Sequence, residues 1–276
     1  MVANSRILLI GAGNLATSLG VALAAAGIPP VAVWSRTHSS AQELGDRIGC
    51  PSSCSIDDLP AADIVIISVA DSALPSVAQA VARRYPAALM VHTAGSVPVD
   101  VLRSAGAGKY GVFYPMQTFS KQRIADFSKI TTFVEGSSEG VAACLEELAA
   151  RIGSKAVRAT GEQRKYLHIA AVFACNFTNA AYSMAAELLE ANGLPFEAML
   201  PLVEETAEKV HHLHPADAQT GPARRGDENV MNVHKAMLAG RLKEVYSIMS
   251  DYITAKTKKT DNYDKLRFNQ DKGSRL

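Results

Sequence analysis

Short apolar runs alternate with amphipathic stretches along roughly the first 160 residues. The apolar runs are rich in β-branched residues and lie at residues 6–10, 30–34, 62–69, 88–93, 111–114, 130–135 and 156–159. Near-continuous apolar segments of this length are typical of strands that are buried on both faces of a parallel sheet. The alternation of strand and helix therefore predicts an α/β domain with a doubly wound parallel sheet that ends near residue 158.

The strand pattern stops after Gly161, and the rest of the chain has the pattern of helices. Predicted helices occupy residues 162–192, 195–212, 227–239 and 242–256. The residues between two of them, 214–226, are expected to form an irregular loop. The chain is thus predicted to consist of an α/β domain, residues 1–160, and an all-α domain, residues 161–276.

A glycine-rich turn directly follows the first predicted strand, with the spacing G-x-G-x-x-A. The first glycine of this pattern permits a tight turn, the second a close backbone approach to a phosphate, and the final small residue close packing of the helix on the sheet. The helix that begins there directs free N–H groups and the positive end of its dipole at the phosphates. The pattern predicts a Rossmann domain with a bound dinucleotide. The residues expected to hold it are Gly11, Ala12, Gly13, Asn14, Leu15 and Ala16.

The end of the second predicted strand indicates which dinucleotide binds. NAD enzymes usually place Asp or Glu about 20 residues after the fingerprint, where it binds the ribose 2′-hydroxyl. This chain has Ser35, Arg36 and Thr37 there instead. A guanidinium and two hydroxyls suit a 2′-phosphate, so we expect the cofactor to be NADP. Further cofactor contacts are expected at the ends of later strands, from Val69, Ala70, His92 and Thr93; the alternative for His92 is a core histidine that contacts no ligand.

Composition and charge narrow the class of protein. The 276 residues are 48% hydrophobic and 20% charged, as in an ordinary globular protein. A net charge of +1 provides no field that would attract nucleic acid or an anionic membrane. The apolar segment 166–189 contains His168 and Asn176, so a helix at a domain or subunit interface explains it better than a membrane span. With no leader pattern and four scattered cysteines, the protein is expected to be cytoplasmic.

Four stretches, residues 11–16, 113–119, 166–176 and 220–227, together resemble one family. Over nearly its whole length the chain is similar to bacterial proteins that join a Rossmann-like domain to a DUF2520 domain. Its first half is similar to the F420-dependent NADP oxidoreductase family. Its helical half resembles, more distantly, the C-terminal domains of pyrroline-5-carboxylate reductases and β-hydroxyacid dehydrogenases. The resemblance implies an NADP-dependent oxidoreductase that forms a homodimer through its helical domain.

The resemblance also implies candidate catalytic residues on the long helix. The β-hydroxyacid dehydrogenases carry a Lys-x-x-x-Asn pair there, and the lysine is their general acid/base. Asn176 matches that asparagine, but Val172 occupies the position of the lysine. His168 lies one turn upstream on the same predicted face, and its ring can donate a proton near neutral pH. His168 is therefore the candidate proton donor, with Asn176 and Lys165 as the other candidate catalytic residues; the alternative is that His168 and Asn176 only position the helix.

Substrate contacts are expected from two other motifs. Tyr114 and Pro115 lie at the carboxyl end of a predicted strand, where ligands bind in open α/β sheets. Arg225 precedes Asp227, the predicted N-cap of a helix, and a guanidinium beside a helix N-terminus forms an anion site. The histidine-rich segment 211–214 has no nearby cysteine or acid to complete a zinc site and is interpreted as a helix end, not a metal site.

The chemistry that fits these residues is hydride transfer between NADP(H) and a small, anionic substrate with a C=O or C=N group. Three alternatives stay open: imine reduction of the pyrroline-5-carboxylate type, hydride exchange between F420H₂ and NADP, and non-catalytic, regulatory binding of NADP. The valine at position 172 favours the last of these. The Ser/Pro/Gly/Thr-rich substrate loop of pyrroline-5-carboxylate reductases is missing from segment 220–226, which argues against proline as the product.

Overall fold

The computed structural model describes residues 2–273, apart from the side chains of residue 3 and residues 258–273. Its strands are β1 (Ile7–Ile10), β2 (Ala32–Trp34), β3 (Ser52–Ser53), β4 (Ile64–Ile67), β5 (Leu89–His92), β6 (Lys109–Pro115), β7 (Thr131–Gly136) and β8 (Lys155–Arg158). They form one eight-stranded sheet in the order β3-β2-β1-β4-β5-β6-β7-β8. The order reverses between β1 and β4, which makes that position the topological switch point of the sheet.

Helices connect and follow the strands. They are α1 (Asn14–Ala25), α2 (His38–Ile48), α3 (Leu74–Arg84), α4 (Asp100–Ser104), α5 (Glu139–Arg151), α6 (Gly161–Ala171), α7 (Thr178–Glu190), α8 (Leu200–His212), α9 (Pro215–Ala218), α10 (Pro222–Arg225), α11 (Glu228–Met237) and α12 (Gly240–Gly273). A π-helical segment, Val172–Phe177, joins α6 to α7. Among the described residues, none of these helices combines the length and the apolar character needed to cross a membrane.

The side chains of the central strands alternate between two apolar cores. Leu9 of β1 packs on one side of the sheet, in the same core as Leu19 of α1 and Leu145 of α5. Its neighbour Leu8 packs on the other side, in the same core as Val81 of α3. Successive side chains of a strand point to opposite faces, so both faces need a cover of helices. The predicted doubly wound architecture is confirmed.

One strand departs from the predicted parallel sheet. β7 pairs antiparallel with β6, with Phe113 opposite Val134, whereas β8 again runs parallel to β7. The connection between β6 and β7 contains a 3₁₀ turn, Phe127–Lys129, but no crossover helix of the kind that returns a chain for parallel pairing. The sequence pattern also missed β3, because its two serines carry no apolar signal.

The chain forms two compact units, Met1–Thr178 and Asn179–Leu276. The first unit extends past the strand pattern and includes α6 and the π-helical segment. Its α6 begins with a complete capping box, because the Thr160 hydroxyl accepts a hydrogen bond from the Gln163 amide and the Gln163 side chain accepts one from the Thr160 amide. This double cap fixes where α6 starts.

The second unit consists of α7 to α12. The segment 214–226, expected to be irregular, contains the one-turn helices α9 and α10, and a proline in the first turn of each favours helix initiation. Asp227 caps α11 as predicted, accepting a hydrogen bond of 3.2 Å from the Val230 amide. The side chains of His234 and Tyr246, 2.9 Å apart at Nδ1 and the hydroxyl, join α11 to α12.

Candidate functional site

The turn after β1 leaves the sheet beside the end of β4. Gly11 has a φ of +123°, and its amide donates to the Trp34 carbonyl at 2.7 Å. A Cβ at position 11 would overlap the carbonyl oxygen of Ser68. Both the backbone conformation and the missing side chain are therefore required here. The turn brings the start of α1 to the switch point of the sheet.

Gly13 lies at the N-terminus of α1 and meets a different requirement. Its φ is −79°, and no heavy atom lies within 4 Å of where its Cβ would be. No described side chain caps this helix, and both Gly13 and Asn14 are exposed. Open space in front of uncapped helical N–H groups is the arrangement that binds phosphate. Ala16, one turn further, is fully buried and lets α1 lie close to the sheet.

Ser35, Arg36 and Thr37 lie beside this turn, because β2 pairs with β1 in parallel and both strands end at one edge of the sheet. The Arg36 side chain is exposed. Thr37 is the N-cap residue of α2, and no described side chain caps that helix either. A guanidinium next to a second uncapped helix start can bind a second anion.

The ends of β4 and β5 continue the same edge. Val69 is partly buried and Ala70 is exposed, while Thr93 is nearly buried and donates from its hydroxyl to that of Ser68 at 3.1 Å. His92 is fully buried, so its ring belongs to the core. Its Nδ1 accepts from the Ala94 amide at 3.2 Å. Burial, and secondarily the charge of Arg164, lowers the pKa of His92 to about 4, so the ring is neutral at physiological pH.

Two of the predicted site residues are brought together by the fold. Tyr114 of β6 and His168 of α6, far apart in sequence, lie with the tyrosine hydroxyl 3.3 Å from His168 Nδ1. Burial raises the pKa of Tyr114, so the hydroxyl keeps its proton at neutral pH and can donate it to Nδ1. In a neutral ring Nε2 then carries the proton. That leaves an exposed N–H donor on His168 for another partner.

The Tyr114 ring is placed by the loop after β5. A Cβ on Gly95 would come within 2.6 Å of Tyr114 Cζ, so the ring packs directly on the glycine. Its partner in the strand pair, Phe133, lies 6.5 Å away between ring centroids. Pro115, the next residue of β6, is buried. The hydroxyl of Tyr114 therefore has a fixed position relative to both β5 and β6.

The helix that carries His168 widens beyond it. The π-helical segment Val172–Phe177 advances by a smaller angle per residue than an α-helix, which keeps Asn176 closer to the face of His168. The Thr178 hydroxyl donates to the Phe173 carbonyl at 3.2 Å, five residues earlier. Asn176 is exposed. Such π turns occur frequently at functional sites, and nothing in the hydrophobic pattern predicted this one.

The remaining predicted site residues are Lys165 and Arg225. Lys165 is exposed, and its Nζ pairs with Glu162 at 2.6 Å. Arg225 is exposed on α10, in the second unit. Across the described residues, no three His, Cys, Asp or Glu side chains are grouped to hold a metal ion.

Sequence reasoning missed one polar group of the first unit. Arg164 of α6 is fully buried and forms an ion pair with Glu135 of β7. The sequence carries no signal for this burial, because an arginine one helical turn before the exposed His168 is ordinarily expected on the solvated face. An arginine is almost never fully buried unless it is paired.

Two family models match the chain. Residues 2–110 match the Rossmann-like domain, and residues 130–253 match the domain of unknown function DUF2520. No curated protein matches it. The matches leave out residues 111–129, which hold most of β6 and the loop that follows it.

Solved structures with this fold include proteins of very different similarity. One, from Bacteroides fragilis and named "putative NADP oxidoreductase", is 47% identical with a TM-score of 0.87, covering 92% of this chain and 100% of that chain. A pyrroline-5-carboxylate reductase from Coxiella burnetii is 16% identical with a TM-score of 0.59, and the match covers 92% of this chain and 98% of the reductase. A reductive aminase from Aspergillus terreus, in complex with NADPH, is 20% identical with a TM-score of 0.60, and the match covers 75% of this chain and 74% of the aminase. The last two similarities show the fold.

Replacement by alanine should affect stability very differently at the two glycines of the turn. Gly11→Ala should lower the free energy of unfolding by about 1–3 kcal/mol from backbone strain, with a further loss from the overlap with Ser68. Gly13→Ala should change it by less than about 0.5 kcal/mol, because the new methyl group points into open space. Urea unfolding of both variants measures this difference, and equal losses would contradict the described turn.

Proposed function

Since the chain belongs to the family that joins a Rossmann-like domain to a DUF2520 domain, we propose that it is a nicotinamide-dinucleotide-dependent oxidoreductase. One observation supports this above all. The uncapped start of α1 and the Tyr114–His168 pair lie at the carboxyl edge of one sheet. In open α/β sheets ligands bind at that edge, beside the switch point.

The turn after β1 fits the pyrophosphate of a dinucleotide. Gly13 leaves the approach to the helix open, and the uncapped amides of α1 supply hydrogen-bond donors. When bound, NADP(H) would supply or accept a hydride. Val69, Ala70 and Thr93 would border the rest of the cofactor along the edge of β4 and β5. The buried ring of His92 would support this wall from behind.

The proposed cofactor is NADP, because Arg36 and the uncapped start of α2 fit a 2′-phosphate. We expect NADPH to bind at least about tenfold more tightly than NADH, since a charge-assisted contact contributes on the order of 1.5–3 kcal/mol. Arg36→Ala should narrow that preference by about one to two orders of magnitude in calorimetric titrations. Arg83→Ala, which removes an exposed arginine from the end of α3, is the matched control. Equal affinities of the native protein for both cofactors would exclude this choice.

The proposed substrate is a small compound with a C=O or C=N group and an anionic group. The proton that accompanies hydride transfer would come from His168 Nε2 while Tyr114 passes its own hydroxyl proton to Nδ1, so that the ring stays neutral and Tyr114 regains a proton from water. Asn176, on the same helix, would orient the polar atom that receives this proton. Arg225 is the proposed contact for the anionic group, as a bidentate donor.

His168→Ala should lower kcat by roughly 10²–10⁴-fold, the usual contribution of a general acid, with NADPH affinity nearly unchanged. Arg225→Ala should mainly raise KM, because it removes binding of the ground state. Lys109→Ala is the control, since Lys109 is an exposed lysine at the start of β6, at the opposite edge of the sheet. The assay follows NADPH oxidation with small keto acids and cyclic imines, pyrroline-5-carboxylate included, and with oxidised F420.

Each result of that assay separates the proposal from an alternative. Turnover with pyrroline-5-carboxylate alone would assign imine reduction of that type, and exchange with F420 alone would assign cofactor-to-cofactor transfer. Tight NADPH binding without turnover of any compound would favour a regulatory binding protein. Full activity of both His168→Ala and Arg225→Ala would move the active site away from these residues.

The proposed assembly is a homodimer formed through the helical residues. In the second unit, the buried side chains among the described residues are Ala223, Met231 and Ser250. Large apolar side chains are instead exposed: Leu188, Leu194, Leu200, Leu202, Val210, Leu213, Val233, Met237, Ile248, Met249 and Tyr252. Exposed apolar surface of this extent is typical of a subunit interface.

The proposed location is the cytoplasm. The four cysteines are free thiols, as is usual in that reducing compartment.

Light scattering should give the mass of a dimer at micromolar concentration, because an obligate interface buries more than about 2,000 Å². Met237→Glu places a charge on a side chain that is 79% exposed and should shift the protein toward the monomer. Lys209→Glu, at a partly exposed lysine that is paired with Glu205, is the control for added negative charge on this unit. A monomeric mass for the native protein would contradict the proposed dimer.

A further inference from the structure

Arg164 has an unusual set of partners for an arginine. It is fully buried, forms an ion pair with Glu135, and donates to two backbone carbonyls, Val97 at 3.1 Å and Ala159 at 3.4 Å. Its Nε is buried without a hydrogen-bond partner among the described atoms. Burial lowers the pKa of Arg164 to about 10, which still leaves it charged at neutral pH. One guanidinium therefore joins α6 to β7, to the end of β8 and to the loop after β5.

These contacts lead to both members of the Tyr114–His168 pair. Arg164 precedes His168 by one turn of α6, so fixing its side chain fixes the position and rotation of the helix at His168. Its other contact, Val97, lies in the loop whose Gly95 carries the Tyr114 ring. The same guanidinium thus restrains the histidine through the helix and the tyrosine through the loop.

A gain in folding stability does not by itself explain the buried, charged pair of Arg164 and Glu135. Taking a charged pair out of water is costly, and well-packed apolar side chains in its place often give a protein that is as stable or more so. Arg158, near the end of β8, shows the ordinary case: it pairs with Glu139 and Glu146 while remaining exposed to solvent.

We propose that Arg164 is a positioning residue, which sets the 3.3 Å contact between the Tyr114 hydroxyl and His168 Nδ1 without touching either side chain. The proposal rests on the proposed function of that pair. This role explains why position 164 is an arginine. The planar guanidinium can donate to the Glu135 carboxylate and to both backbone carbonyls at once, whereas a lysine could donate to the carboxylate but could not reach the same carbonyls.

The test measures the hydrogen bond directly, by the ¹⁵N resonance of His168 Nδ1 in the full-length protein at neutral pH, assigned with His168→Gln. Tyr114→Phe defines the position of this resonance when the bond is absent. Arg164→Lys should move the resonance to that position, whereas Arg158→Lys, the matched control at an exposed pair, should leave it at the native position. Once a substrate is known, Arg164→Lys should also lower kcat by roughly 10²-fold, as displacement of catalytic groups by about 1 Å does, with KM within about twofold.

The outcomes distinguish a failure of the positioning role of Arg164 from a failure of the proposed proton donor, His168. If the native protein and Tyr114→Phe give the same resonance, the Tyr114–His168 bond is absent in solution and the proposed proton donor fails. If those two differ but Arg164→Lys keeps the native resonance, the positioning role of Arg164 is wrong. Should Arg164→Lys not fold, Glu135→Gln keeps the shape of the partner and removes its charge, and the same comparison decides.

Discussion

The first unit depends on the close approach of two strand ends, β1 and β4. The carbonyl of Ser68 occupies the space that a side chain at position 11 would need, so β1 can continue only through a glycine with a positive φ. That turn places the uncapped start of α1 at the switch point of the sheet. Because β2, β4, β5 and β6 run parallel to β1, their carboxyl ends gather at the same edge.

Much of this arrangement could be predicted, because it follows from local patterns. Apolar runs identified the long strands, since a strand buried on both faces must be apolar at nearly every position. The spacing of Gly11, Gly13 and Ala16 predicted a turn that the structure contains. The short β3 was missed because its two serines carry no apolar signal. The antiparallel direction of β7 was missed because pairing direction depends on the length and content of a connection, which periodicity does not report.

For the Tyr114–His168 pair, the sequence predicted the two residues but not their contact. Both residues were candidates, one from the end of a strand and one from a helix face, but their contact joins segments far apart in sequence. Arg164 was harder still, because a charged residue in a helix is ordinarily expected on the solvated face. Its burial becomes intelligible only with Glu135 and the carbonyl of Val97 in place. Polar groups that meet across a fold carry no signal in a single sequence.

The helix that begins at Gly161 combines two different surfaces. Arg164 anchors it inside the first unit, while more than half of the surface of each of four apolar residues is exposed to solvent: Tyr166, Ile169, Phe173 and Phe177. Exposed apolar area costs roughly 25 cal/mol per Å², so a helix of this kind is stable when another surface covers it. His168 and Asn176 lie among these residues. In the proposed dimer, the partner that covers the apolar side chains would therefore also border the proton donor and limit the access of water to it.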